Sequence, residues 1–363
     1  MGVDIPRAVF KSAVERLTSI SESSKVGLEA FNNLRIEGFG RQMKIGGFNK
    51  ILAAEVVLED IPPHEPFGFG ASFAALKDLA AALPDAPINL RLGETNCTIS
   101  AGASRFTLRI VAQEAFPPRQ LLQGKPFDFA DLSYYDTDIG DLFSAIGKVI
   151  YCTDVTSERH YARGVIVTPD FFYASDGLRL SRFPNRIVRV DKPIALPVEG
   201  LTRLSKFFKG RRLGGISGGV TDITLAAHGM YATMRLLNWE IPRVQAAVPG
   251  GPADLFTAPR GEIIAALQRT LIVANQKSPQ TSLQFDGKTL AFRTDEDGDV
   301  AEDSVPCTGS AAALIRINPR YLLDAVSRIE GDEVCFHLRG QNGVTLTDNK
   351  GEHVNVIMPY RVN

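Results

Sequence analysis

The sequence predicts an α+β fold of three similar domains, each with two helices packed on antiparallel sheets. Three observations carry this reading. An amphipathic helical stretch, strand-like segments, a second helical stretch and further strands follow one another three times. Each round stops at a short hydrophobic-Pro signal: Phe116-Pro117-Pro118, Ile241-Pro242-Arg243 and Met358-Pro359-Tyr360-Arg361. The 363 residues are too many for one ordinary core. The period, roughly 120 residues, far exceeds that of a solenoid repeat. The expected domains are 1–124, 125–249 and 250–363.

In the first module Pro6 suits the first helical position, where a missing N–H costs nothing. Phe10, Ala13, Val14 and Leu17 then recur at helical spacing and make one apolar face. A second helix is expected over Ala74–Ala80, ended by Pro84. Ile88–Leu92 and Phe106–Ile110 alternate as half-buried strands do. In the second module Asp141–Ile150 has a helical period. Gly164–Val167 and Phe171–Ala174 read as strands, and Pro197 introduces a helix over Val198–Phe208. In the third, Pro259 opens a helix over Glu262–Leu271. Asn318-Pro319 reads as an N-cap followed by proline at the first helical position of Arg320–Ile329. Linkers are expected near Gln123–Pro126 and Pro249–Pro252, both dense in turn formers.

Composition bounds the function only loosely. A hydrophobic fraction of 44% and a charged fraction of 22% are those of a soluble globular protein. No apolar run approaches the ~20 residues of a membrane helix, and the first residues lack a secretory layout. Cys97, Cys152, Cys307 and Cys335 are scattered, which argues for a reducing, cytoplasmic setting and against a zinc site. With a formal net charge of −1 the chain is not generally basic. Any nucleic-acid contact must come from a local concentration of Lys and Arg.

Catalytic readings find no support. The five histidines form no HExxH or HxH, and neither a nucleophile elbow nor a phosphate-binding GxxxxGK[ST] occurs. The Gly210–Gly219 run reads as a flexible turn between a basic helix end and the strand Ile223–Leu225. Asp295–Asp299 reads as a solvated hairpin tip, because a calcium loop would need a Glu at its twelfth position. No metal and no cofactor are expected.

The cations are more suggestive. Arg7 and Lys11 lie on the first helix, away from its apolar face, and Lys77, Lys148, Arg203, Lys206, Arg269, Arg320 and Arg328 lie on the other five. Lys209, Arg211 and Arg212 extend the second module's later helix. Each alone is explained by the ordinary preference of exposed helical positions. Together, in a chain of net charge −1, they suggest a shared face that meets phosphates without reading bases.

At this point the residues resemble a family. Tyr173-Ala174-Ser175-Asp176-Gly177-Leu178-Arg179-Leu180 resembles the A-T-D-G-H-R-L stretch of the bacterial sliding clamp, the beta subunit of DNA polymerase III. Arg159–Gly164 is similar to its R-x-x-L-x-G segment, and Ile317–Ala325 to its F-N-P-R-Y-L-L-D-A. Val356–Val362 is similar to its terminal V-I-M-P-M-R-L, and Arg105-Phe106 with Glu114–Pro117 to the close of its first domain. The likeness is strong in the second and third modules and thin before about residue 100.

The resemblance implies a non-catalytic processivity factor: a head-to-tail homodimer whose six domains encircle duplex DNA, independent of sequence, with twelve helices lining the hole. It implies that Phe106 of one subunit packs against Ile272 and Val273 of the other, and that Lys25, His160 and Tyr161 lie near DNA. The helix cations Arg203, Lys206, Lys209, Arg269 and Arg328 are added to that surface from the reading above. The resemblance also implies a hydrophobic groove that receives short linear motifs of polymerases, the clamp loader and repair factors. Its matching positions are Ala162, Ser175, Gly177, Leu178, Arg179, Leu180, Pro242, Ala246, Val356, Met358, Pro359 and Arg361. Leu178 replaces a usual His, Ala162 a usual Leu, and Ala246 a commonly basic residue. The groove is therefore expected to be wider and less polar, with a different preferred motif.

Other readings stay open on sequence alone: a divergent clamp of a phage, a plasmid or a specialised polymerase; a clamp-like chain that does not close; and an enzyme on a borrowed repeat fold.

Overall fold

The computed structural model describes residues 2–21, 29–116, 137–218, 221–250, 253–309, 312–338 and 343–360. Lys25, Arg361 and the expected linker near Gln123–Pro126 lie outside the described residues. Among the described residues are six α-helices, two in each third of the chain: α1 (Arg7–Leu17), α2 (Phe73–Ala82), α3 (Ile139–Gly147), α4 (Val198–Phe207), α5 (Arg260–Thr270) and α6 (Pro319–Arg328). None is long and apolar enough to cross a membrane.

Local signals place the helices. Phe10, Ala13, Val14 and Leu17 are the buried face of α1. Ser72 caps α2 by accepting from the Ala75 N–H at 3.4 Å. The Asn318 side chain caps α6, accepting from the N–H groups of Arg320 and Tyr321, with Pro319 in the first turn. Pro6 sits one residue earlier than expected, and the helix that Pro259 opens starts at Arg260 and not at Glu262. Both are extended and stand at the N-cap, where the Pro6 carbonyl accepts from Val9 and Phe10, each at 3.1 Å. The helix expected from Asp141 to Ile150 starts at Ile139 and stops at Gly147, and a 3-10 turn, Ile150–Cys152, follows.

The chain divides into two compact units, Met1–Phe143 with Glu199–Asn238 and Ser144–Val198 with Trp239–Asn363. The first holds a 12-stranded antiparallel sheet. Strands of the first third fill it as far as Leu52–Leu58, which pairs with Met230–Arg235 of the middle third, Val56 opposite Met230 and Leu52 opposite Met234. The second unit holds a nine-stranded and a four-stranded sheet. In the nine-stranded sheet Arg179–Pro184 of the middle third pairs with Val354–Ile357 of the last, Leu180 opposite Val356. The middle third thus gives its later strands, with Thr137–Asp138, to the first unit and the strands from Gly164 to Pro197 to the second.

In the second unit α5 and α6 bury Ile263, Leu267, Leu322 and Val326 against Phe256, Phe285, Phe292 and Phe336. Each such side chain contributes roughly 1.5–3 kcal/mol by leaving water. The Phe256 and Phe285 rings stand 4.2 Å apart.

One sequence expectation fails. Within the Gly210–Gly219 run, Leu213–Gly218 is a strand and not a turn, pairing with Asp222–Ala227 and, through Leu213 and Gly214, with Asp138 and Thr137. Gly214 is there for closeness: a Cβ would lie 2.2 Å from the Ala226 carbonyl oxygen and 2.4 Å from Ile139. The hairpin tip at Asp295–Asp299 is as expected, with Asp297 and Gly298 turning at positive φ.

Candidate docking groove and cation-bearing helices

The hairpin Phe171–Ser175 to Arg179–Pro184 is closed by a turn that uses each of its residue types. Asp176 Oδ1 accepts from the N–H groups of Leu178 and Arg179, both at 2.9 Å. Ser175 Oγ accepts from Gly177 N–H at 3.1 Å and donates to the Arg179 carbonyl at 2.8 Å. Gly177 has a φ of +90°, which requires glycine, and a Cβ there would also lie 2.0 Å from the mobile end of Arg159, Nη1.

This turn projects Leu178 outward, 53% exposed, and its carbonyl accepts from Met358 N–H at 2.9 Å. Met358 is itself 48% exposed. Beneath them Leu180 and Val356 face each other in register and are buried with Ile166, Tyr173, Val244 and Val354. Trp239, Ile241 and Val248 pack partly buried against the same cluster. Pro242 and Ala246 join through Val244: its N–H donates to the Pro242 carbonyl at 2.7 Å, and Ala246, one turn on, is exposed. The expected groove residues from the hairpin, the segment after Ile241 and the last strand therefore meet around one apolar floor. Ala162 is wholly buried and is not among the side chains of this cluster. Pro359 is half-buried.

Arg179 differs from a ligand-facing cation. Its guanidinium turns inward, 3.0 Å from Asp176 and 2.7 Å from Asp324, and lies 4.3 Å from the Tyr321 ring and 5.4 Å from the Tyr151 ring. Burial holds the Tyr151 phenol well above its ordinary pKa. Sequence reasoning did not single out Tyr151, Tyr321, Asp324, Trp239 or Gly343. Tyr321 and Asp324 lie in the segment Ile317–Ala325, where spacing alone does not reveal a partner in another third. Gly343, at φ +111°, leaves room beside Val356 and Met358 that a Cβ would narrow, at 3.4 and 3.8 Å.

The expected phosphate-facing residues fall into two groups. Lys206, Lys209 and His160 are exposed, and Tyr161 is half-buried beside His160 in the 3-10 turn His160–Arg163. Arg203, Arg269 and Arg328 carry internal partners. Arg203 pairs with Glu199 at 3.0 Å, and Arg269 with Asp303 at 2.5 Å. Arg328 lies beside Asp324 and over the Tyr151 ring. Such half-exposed pairs are worth little and exchange readily, so these arginines are held in place without being used up. Arg16, not singled out from sequence, donates to the Phe207 and Lys209 carbonyls at 3.0 and 3.2 Å, tying α1 to the end of α4.

Of the residues expected at a dimer contact, Phe106 is 40% exposed, Ile272 is 80% exposed and Val273 is half-buried. Ser104–Arg109 pairs on one side only, with Asn96–Ala101. Asp299–Pro306 is the outer strand of the four-stranded sheet.

Comparison with known proteins agrees with this architecture. The family model "DNA polymerase III beta subunit, N-terminal domain" matches residues 1–121, and the C-terminal domain model of the same subunit matches residues 245–361. The beta sliding clamp of Pseudomonas aeruginosa is 25% identical over 383 aligned residues, covering all of both chains. The crystal structure of the DNA polymerase III beta subunit of that organism superposes with a TM-score of 0.91 at 22% identity, again over the whole of both chains. A further structure of the Pseudomonas aeruginosa clamp, bound to griselimycin, gives a TM-score of 0.89 at 22% identity over both full chains.

Proposed function

Because the chain belongs to the family of bacterial sliding clamps, the beta subunits of DNA polymerase III, we propose that two copies close into a ring around duplex DNA and tether polymerases there. The chain acts as a non-catalytic accessory subunit in the cytoplasm. The observation that carries the reading is the exposed Leu178–Met358 pair above a buried Leu180–Val356 floor. An apolar site of this kind suits anchoring by one or two large side chains of a short motif. Polymerase subunits, the clamp loader and repair factors are its occupants, and Arg361 completes it.

The strand seams support a reading of three domains, 1–124, 125–249 and 250–363. Each seam joins the last strand of one third to the third strand after the preceding third's first helix: Met230–Arg235 to Leu52–Leu58, and Val354–Ile357 to Arg179–Pro184. By the same rule Ser104–Arg109 pairs with Asp299–Pro306 of the partner subunit. The edges suit each other: Arg105 and Arg109 are exposed on one, Asp299 and Glu302 on the other. Phe106 then meets Ile272 and Val273 across the contact. A heterologous contact used twice closes a two-subunit ring.

DNA is held topologically. Lys25, His160, Tyr161, Lys206 and Lys209, with Arg203, Arg269 and Arg328, offer weak, salt-screened phosphate contacts that permit sliding. The test is retention on a nicked circle after loading by an appropriate clamp loader. The ring stays through a high-salt wash and runs off once the circle is cut. Equal retention on circular and linear DNA, beside a control clamp that behaves normally, would overturn encirclement.

A further inference from the structure

Arg328, at the last turn of α6, is linked to both strands of the groove through Asp324 and Tyr151. Its Nη1 donates to the Asp324 main-chain carbonyl at 3.0 Å and lies 3.7 Å from Asp324 Oδ1. Its guanidinium carbon stands 4.3 Å from the centre of the Tyr151 ring. Asp324 Oδ2 in turn accepts from Arg179 at 2.7 Å. The Tyr151 hydroxyl donates to Asn355 Oδ1 at 2.5 Å. Arg179 belongs to one groove strand and Asn355 to the other, each one residue from the facing pair Leu180 and Val356.

One carboxylate is therefore shared by two guanidinium groups, and so is one aromatic ring. Arg179 is the deeper of the two, its side chain 12% exposed, whereas Arg328 is 34% exposed and can leave. A phosphate is the natural competitor, since a guanidinium pairs with it by the same charge-assisted, bidentate hydrogen bonds that it makes to a carboxylate, and this carboxylate is already shared.

We propose that Arg328 is the input that tunes the groove. When a DNA phosphate takes its guanidinium, Asp324 and Tyr151 are left to Arg179 and Asn355, both strands are held more firmly, and docking tightens. The two-state element is the Arg328 side chain, either on Asp324 and Tyr151 or on phosphate. A groove held firmly beforehand loses less freedom when a ligand docks. By linkage a docked motif strengthens the hold on DNA by the same factor. The expected coupling is about fivefold, the low end of the usual range, because the Asp324–Arg328 pair is half-exposed and screened. The proposal rests on the clamp reading, which brings α6 to DNA.

Calorimetry of griselimycin with the full-length protein tests it. Without DNA, Arg328→Gln should tighten binding about fivefold, and Asp324→Asn should abolish that gain in the double variant. A saturating short duplex should tighten the unaltered protein by the same factor and leave Arg328→Gln unchanged. If griselimycin does not bind, exchange of the Met358 amide hydrogen, bonded to Leu178, should slow correspondingly in Arg328→Gln. Equal groove behaviour of the two proteins, or a DNA effect that survives Arg328→Gln, overturns the proposal. Failure of the clamp reading is separate, appearing as loss of retention on nicked circles. The DNA-free arm decides the Arg328–Asp324 link by itself.

Discussion

The main-chain N–H of Met358 donates to the carbonyl of Leu178 over 2.9 Å, one residue beyond the last paired position of their two strands. The first unit contains the same bond at the same place: Arg235 N–H donates to the Ile51 carbonyl, also over 2.9 Å. The backbone repeats, but the side chains do not. At one seam two large apolar side chains stand about half exposed, whereas at the other Ile51 is half-buried and its neighbour is the cation Arg235. Of these two seams, an identical backbone scaffold therefore presents a pair of exposed apolar side chains at that of the second unit and not at that of the first.

Truncating that surface separates binding from folding. Leu178→Ala and Met358→Ala remove contact area that water already reaches, so unfolding midpoints should move by no more than about 0.5 kcal/mol. Affinity for a short peptide with a large apolar anchor should fall about tenfold for each, as for an anchor residue at an interface centre. Unchanged affinity in both variants would place the docking site elsewhere.

The turn beneath Leu178 has a different sensitivity. Gly177→Ala forces a side chain onto a backbone at φ +90° and against Arg159 Nη1, with Tyr161 Oη at 3.0 Å. Arg159 is exposed and can swing aside, so the backbone term dominates, at about 1–2 kcal/mol. Urea unfolding should show that loss. Docking should weaken as well, because Leu178 and Arg179 both depend on the Asp176 turn.

Helix positions were legible in the sequence because their signals are local: the apolar spacing of α1, or Asn318-Pro319 at the start of α6. The Gly210–Gly219 run was misread for the converse reason. Its glycines look like a turn nearby in sequence, and what makes Leu213–Gly218 a strand is the close approach of Ala226 and Ile139. The site divides in the same way. The Tyr173–Leu180 motif pointed to the groove positions it contains, but not to the turn of Arg179 inward to Asp324, 145 residues away. Exposure of Arg269 and Arg328 could be expected from helix position. Their pairing with Asp303 and Asp324 depended on side-chain placement that spacing does not give.

The ring contact is open to a charge test. Ile272 is 80% exposed on the free chain, so Ile272→Asp should leave the fold intact. Placed in a desolvated contact with Phe106, the new carboxylate should weaken dimerisation by about 2–4 kcal/mol, roughly thirtyfold to several hundredfold. Sedimentation velocity across a dilution series reads this directly. A dimer of unchanged strength would remove Ile272 from the interface.

The last prediction concerns pH. His353 is buried on the strand run that carries Val356, with Nε2 3.0 Å from Ser181 Oγ and 3.1 Å from the Lys148 carbonyl. The carbonyl requires Nε2 to carry the hydrogen, which leaves Nδ1 bare, and Nδ1 is buried without a partner. Burial first, then the Lys148 charge, lowers the His353 pKa to about 4 from its ordinary 6.5. A depressed histidine pKa means that the unfolded chain takes up the proton first. Stability is therefore complete above pH 6.5 and declines as pH falls from there toward 4, by about 3 kcal/mol in all. Glu330 and Asp303, whose pKa values lie below the usual carboxylate range, add their losses only at lower pH. The interval from pH 6.5 to 5 thus isolates the histidine. Urea midpoints should fall through it for the unaltered protein and stay level for His353→Gln. Parallel slopes for the two proteins would mean that another group carries the dependence.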